Sequence, residues 1–130
     1  MTAYKPDGYP SLSPYLVVTD AERAIAFLVA MLGGVELRRH ERPGGGVAHA
    51  EVRIDDGVVM LGEAAEGWPA VAAHVPLYVP DVDAAFARAI AFGATPVQEP
   101  VRKDEPDRRG GVRDAGGTTW WIATMVGVDG

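Results

Sequence analysis

Along this chain apolar residues recur every three to four positions in two stretches and alternate with polar residues in most of the others, the signatures of helix and strand. Ala24, Ile25, Phe27, Leu28, Met31 and Leu32 predict a helix over about 21–32, and Ala85, Phe86, Ala89 and Ile90 predict a second over about 82–92. An aspartate stands before each helix, Asp20 and Asp81, where a carboxylate can accept from the free N–H groups of the first turn. Each helix ends at a glycine brake, Gly33-Gly34 or Gly93-Ala94. Short β-rich runs lead into the helices at 15–18 and 75–79. Strand patterns follow at 35–42, 48–54 and 58–62, and again at 95–98, 111–114 and 118–124, with Pro43 to Gly46 and Asp55-Asp56-Gly57 as hairpin turns.

The order repeats. Val18-Thr19-Asp20-Ala21-Glu22-Arg23-Ala24 is echoed by Val79-Pro80-Asp81-Val82-Asp83-Ala84-Ala85, and Val52-Arg53 with Gly57 recurs as Val112-Arg113 with Gly117, about 60 residues on. A β-α-β-β-β unit used twice is the α+β reading, with unit one over about 12–62, a linker at 63–73 and unit two over about 74–126. At 130 residues and 48% hydrophobic, one domain over 1–130 is expected. A formal charge of −6 and a pI near 4.9 argue against nucleic acid and anionic membranes as partners and favour a neutral or cationic small ligand. With no cysteine, disulfides and thiolate metal sites are excluded. No apolar run reaches the roughly 20 residues of a membrane span, and the first residues do not read as a signal peptide, so a cytoplasmic location is expected.

The doubled unit, the Asp20 and Asp81 helix starts, His49-Ala50-Glu51, Asp107-Arg108 and the Asp114-x-x-Gly117 turn together resemble the vicinal oxygen chelate superfamily, the glyoxalase, bleomycin-resistance and ring-cleaving dioxygenase group. The resemblance covers about residues 12–126. It implies an open cup-shaped mixed sheet with the helices on its outer face, and a homodimer in which each cup is often completed by both chains. It also implies four inward positions that hold the metal in the metalloenzymes, on the first and last strand of each unit. Carried over, these become Ser13, Leu61, His74 and Trp121, of which only His74 is a good ligand. No metal and no other cofactor is therefore expected at the family position. The turn also departs from the family pattern, reading Asp114-Ala115-Gly116-Gly117-Thr118 without the proline and histidine expected there.

Strand alternation supplies the other candidates. His49, Glu51 and Arg53 share one face, opposite Ala48, Ala50, Val52 and Ile54, which should meet the helices. Tyr15 and Tyr78 share the inward parity of Ser13 and His74; Arg113 repeats Arg53; Trp120, of opposite parity to Trp121, is expected in the core. Tyr15, His49, Glu51, Arg53, His74, Tyr78, Arg113 and Trp121 thus form the expected ligand-binding set, with aromatic walls and a few polar groups. Trp121 either stacks on a planar or cationic ligand or fills the space of a metal and its waters. His49, Glu51 and His74 also amount to two histidines and a carboxylate, a non-haem iron set, against which stands an ordinary hydrogen-bonded His–Glu pair. The run Asp104 to Arg109 reads as a solvated loop, with Asp107-Arg108 given a chance of reaching the cup mouth. Trp68-Pro69 in the linker is a candidate cover over a pocket or a partner subunit, and Val29 and Ala30 are apolar where the first helix should be polar, as if covered by a partner. Phosphate-loop and serine-nucleophile signatures are missing.

Three functions are compatible with this sequence. The favoured one is a metal-independent small-molecule binder of the bleomycin-resistance type that sequesters an antibiotic in a homodimeric cup. The alternative is a lyase or dioxygenase-type enzyme with Glu51 and His74 as catalytic candidates, joined by His49, with or without a divalent metal. The third is a partner-binding protein whose cup is filled by its own side chains.

Overall fold

In the computed structural model, which describes residues 3–127, the doubled unit is realised as two four-stranded mixed sheets with one helix each. The first unit runs β1 (Tyr15–Val18), α1 (Ala21–Leu32), β2 (Val35–Glu41), β3 (Val47–Ile54) and β4 (Gly57–Glu63). The second runs β5 (His74–Tyr78), α2 (Val82–Phe92), β6 (Thr95–Arg102), β7 (Asp107–Arg113) and β8 (Thr119–Met125). Strand orders are β1-β4-β3-β2 and β5-β8-β7-β6, with the first pair of each sheet parallel and the rest antiparallel, so no barrel closes.

The helix caps are as the sequence predicts. Asp20 accepts from Arg23 N and Asp81 from Ala84 N, both at 3.1 Å. Gly33 ends α1 at φ 66°, a left-handed conformation that glycine adopts without a Cβ clash. The helices lie against one another, with Phe27 and Phe92 edge to face at 5.8 Å and Arg88 Nε donating to Met31 O at 3.0 Å. Each covers one face of its own sheet, and the buried apolar residues of both units join in a single cluster that includes Leu28, Met31, Val52, Leu61, Phe86, Trp120 and Ile122. No helix packs on the opposite face of either sheet among the described residues. No helix among the described residues is long and apolar enough to cross a membrane.

Two strands differ from the sequence reading. β6 extends to Arg102 through Pro96 and Pro100, which an edge strand tolerates because outward N–H groups have no ladder partner; its pairing with β7 is broken by two register shifts. β7 begins at Asp107, so the end of the charged run is strand, not loop. The charges are compatible with a strand because they alternate. Asp107 and Arg109 point to one side and bond each other at 3.0 Å, while Arg108 points to the other and forms a two-pronged pair with Asp83 on α2.

Candidate functional site

Cross-strand register decides which side chains share a face. In the first sheet Tyr15, Met60, Glu51 and Arg38 lie in one row on the side away from the helices, while the next row, Leu16, Leu61 and Ala50, is core. In the second, Pro76, Trp121, Gly111 and Gln98 form the outward row, and Val75, Trp120 and Val112 the inward one. This corrects one carried-over position. Tyr15 and Pro76 are 61 residues apart, and so are their partners Met60 and Trp121, whereas Leu61 is fully buried. Counting from the turn glycines misplaces it because the second turn holds one residue more: Arg53 pairs with Val58, but Arg113 with Thr119. The positions facing away from the helices are therefore Ser13, Met60, His74 and Trp121. A thioether and an indole do not suit a hard divalent cation, so these residues do not fit the family's metal.

On the first face Glu51, 4% exposed, is the central polar group. Its Oε2 lies 2.8 Å from His49 Nε2, its Oε1 accepts from Tyr9 Oη at 2.5 Å, and Arg38 Nε stands 4.0 Å away. These partners hold the carboxyl below the usual glutamate range, the Tyr9 bond first, against the opposing effect of burial. The same bond raises the Tyr9 phenol above its ordinary value. Further rings lie next to His49: Tyr15 is 5.6 Å from it and edge-on to Trp68 at 6.4 Å, and His40 is 6.4 Å from it. The linker tryptophan thus joins this face. Arg53 donates to Gly8 O at 2.7 Å.

The second face is built around Trp121. Its indole N–H donates to His74 Nδ1 at 3.0 Å, and the two ring planes differ by 11° with centroids 6.3 Å apart. An N–H points in its ring plane, so a bonded imidazole at that angle lies beside the indole and extends it into a broader flat shelf. Accepting at Nδ1 leaves the His74 proton on Nε2, available to a ligand. The shelf rests on Gly111, where an added Cβ would stand 2.6 Å from Trp121 Cζ3. Alongside, Tyr78 Oη donates to the buried Asp107 at 2.7 Å, which raises the Tyr78 phenol, and Arg109 donates to the same carboxylate. Arg113 lies exposed on the same strand.

The expected set therefore divides. Tyr15, His49, Glu51 and Arg53 come together on the first sheet, and His74, Tyr78, Arg113 and Trp121 belong to the second. His74 bonds Trp121 instead of joining His49 and Glu51, and no three His, Cys, Asp or Glu side chains among the described residues are grouped to hold a metal within one chain. A cavity of about 390 Å³ opens between the β3–β4 turn and β5, and of the eight residues only Tyr78 lines it. Trp120 is core, 1% exposed, with its N–H bonded to Asp114 at 2.9 Å; the same aspartate accepts from Gly116 N and Thr118 N and knits the turn. Sequence reasoning missed Tyr9, which sits outside any periodic element, and it left Asp107 as a mere possibility.

Comparison with known proteins adds to this geometry. The family model described as Glyoxalase/Bleomycin resistance protein/Dioxygenase superfamily matches residues 11–122. An uncharacterized protein of Mycobacterium bovis is 40% identical over 130 residues, covering 90% of this chain and 84% of its own. Among solved structures, TioX from Micromonospora sp. ML1 is similar with a TM-score of 0.76 and 30% identity, covering 89% of this chain and 98% of that one. TnmS3, an antibiotic binding protein from Streptomyces sp. CB03234, has a TM-score of 0.70 at 20% identity, covering 90% and 99%. At that identity the likeness to TnmS3 concerns the fold.

Proposed function

The chain belongs to the glyoxalase/bleomycin resistance protein/dioxygenase superfamily, and from that premise we propose that it is a metal-independent small-molecule binding protein, of the kind that sequesters an antibiotic, working as a homodimer. The carrying observation is the aromatic shelf of Trp121 and His74 on Gly111, at the place where a metalloenzyme of this family needs a ligand. A flat, half-exposed π surface with an N–H at its edge binds a planar neutral or cationic molecule by stacking and one hydrogen bond. Within one chain the two faces stand apart, so the cup pairs the first face of one protomer with the second face of its partner. Tyr15, Trp68, Tyr78 and Met125, all more than 40% exposed, supply apolar area for that contact. TnmS3 supports the reading as an antibiotic binding protein on the same fold.

The enzyme alternative has weaker support. Tyr9 and His49, with Arg38 nearby, hold the Glu51 carboxyl below its usual range, which makes it a poor proton acceptor and a good recognition anion. The test is twofold. Planar aromatic compounds titrated into the protein should quench tryptophan fluorescence saturably, without turnover, and Trp121→Ala should abolish the binding. Metal-stripped protein heated with Fe, Mn, Ni or Zn salts should show no concentration-dependent rise in its unfolding midpoint. A rise that His74→Ala removes would overturn the metal-independent reading.

A further inference from the structure

Glu51 is bonded by a side chain that its own sheet does not supply. Tyr9 comes from 42 residues away and belongs to the segment 3–14, which forms neither helix nor strand. The segment lies over the first face on few fastenings: Tyr9 Oη to Glu51, Arg53 to Gly8 O, and Met60 N to Pro14 O at 2.9 Å. Residues 3–8 are exposed, and Tyr9 and Pro10 only half-buried, so little apolar area holds the segment down. A stretch fastened in this way opens locally at far less free energy than unfolding the sheet beneath it.

Opening leaves a defined vacancy. Glu51 Oε1 loses its donor while Oε2 keeps His49, and a carboxylate oxygen stripped of its partner accepts from any donor that fills the place of the phenol. His49 contacts the carboxylate, Tyr15 lies beside His49, and Trp68 lies beyond Tyr15. Arg38 at 4.0 Å from Glu51, and Arg53 whose charge acts on the Tyr9 hydroxyl seated there, make the place positive, which disfavours an ammonium and favours a neutral hydroxyl. The group already seated there is a phenol.

We propose that Glu51 is the recognition group of the first face for ligands bearing a phenolic hydroxyl, and that Tyr9 is its resident substitute, lifted away with residues 3–14 when such a ligand enters. The inference rests on reading this face as part of the ligand-binding cup. It adds the ligand's chemical class and a built-in competitor that sets the affinity.

The probe is 4-methylphenol, the tyrosine side chain as a free molecule, titrated by calorimetry into the full-length wild type, Tyr9→Ala and Tyr9→Ala/Glu51→Gln, with toluene and 4-methylbenzylamine as controls. Tyr9→Ala should bind 4-methylphenol at least about tenfold more tightly than the wild type, and Glu51→Gln in that background should remove at least about tenfold, the scale of a hydrogen bond to a charged acceptor. Toluene and the amine should bind correspondingly more weakly than the phenol. Should Glu51→Gln compromise folding, a shift of the His49 ring resonances when 4-methylphenol is added to Tyr9→Ala gives the same information. Equal affinity for wild type and Tyr9→Ala, or for phenol and toluene, or unmoved His49 resonances, would overturn the inference. If planar compounds still bind through Trp121 in that event, only this inference fails and the binding function stands.

Discussion

Gly111→Ala is the sharpest probe of the shelf. An alanine Cβ would lie 2.6 Å from Trp121 Cζ3, 2.8 Å from Cε3 and 3.3 Å from Cη2. Carbon atoms settle at about 3.5–4.0 Å, so the indole must rise by about 1 Å. The contacted atoms lie on the ring face, so that rise is perpendicular to the bond with His74, whose 3.0 Å lengthens to about 3.2 Å and tilts, which weakens it without breaking it. Overpacking of this size costs about 1–3 kcal/mol, and the weakened bond adds a fraction of the about 0.5–1.5 kcal/mol that such a bond contributes. Alanine restricts the unfolded chain and offsets about 0.4–1 kcal/mol, since Gly111 is not among the glycines held at positive φ. A net loss of about 1–3 kcal/mol is therefore expected in urea unfolding at constant slope. The Trp121 indole N–H resonance, assigned from Trp121→Phe, should move. In a Trp121→Ala background the alanine at 111 has no ring to meet, so its cost should vanish, giving a coupling energy of similar size to the cost itself. Stability within about 0.5 kcal/mol of wild type with an unmoved indole resonance would refute the placement of the ring on Gly111.

Three further outcomes follow from the same contacts. Glu51 is held below its ordinary value in the folded state, so its contribution to stability is present above about pH 4.5 and lost as pH falls through the lowered folded value. Tyr9→Phe removes the largest lowering cause and should flatten the pH dependence of unfolding free energy in that acid window; an unchanged slope would show that the bond has no such effect. Asp107→Asn should bring the Tyr78 phenol back down toward its ordinary value, seen as an earlier phenolate transition in a near-ultraviolet titration, and no movement would remove Asp107 as the cause. Trp120→Phe deletes a buried N–H bonded to Asp114 and some ring volume, and should cost about 1–3 kcal/mol in urea unfolding; a loss under about 0.5 kcal/mol would show that Asp114 does not depend on it.

The repeat, both helices and their aspartate caps were legible in the chain because local physics sets them: spacing selects the buried face, and a carboxylate before the first turn binds its free N–H groups. Strand parity likewise assigned Trp120 to the core and Glu51 and Trp121 to the other faces. Parity is a property of the strand alone, so no tertiary information was needed. Leu61 shows where local counting stops. Its place depended on the length of a turn, and one extra residue between Arg113 and Thr119 moves the equivalent position to Met60.

What lay outside the sequence were the pairings between distant segments. Nothing periodic marks Tyr9, yet it closes over Glu51; nothing in the charged run marks Asp107 as buried until Tyr78 and Arg109 meet it from β5 and from its own strand. His74 reads as a metal ligand beside His49 and Glu51 in a linear list, whereas the fold sets it against Trp121 on the other sheet. Sequence determined the elements and which way their side chains face, because backbone geometry fixes those within a few residues. Only the tertiary structure decided which faces hold which partners, because that depends on strand order and register between segments 29 to 47 residues apart.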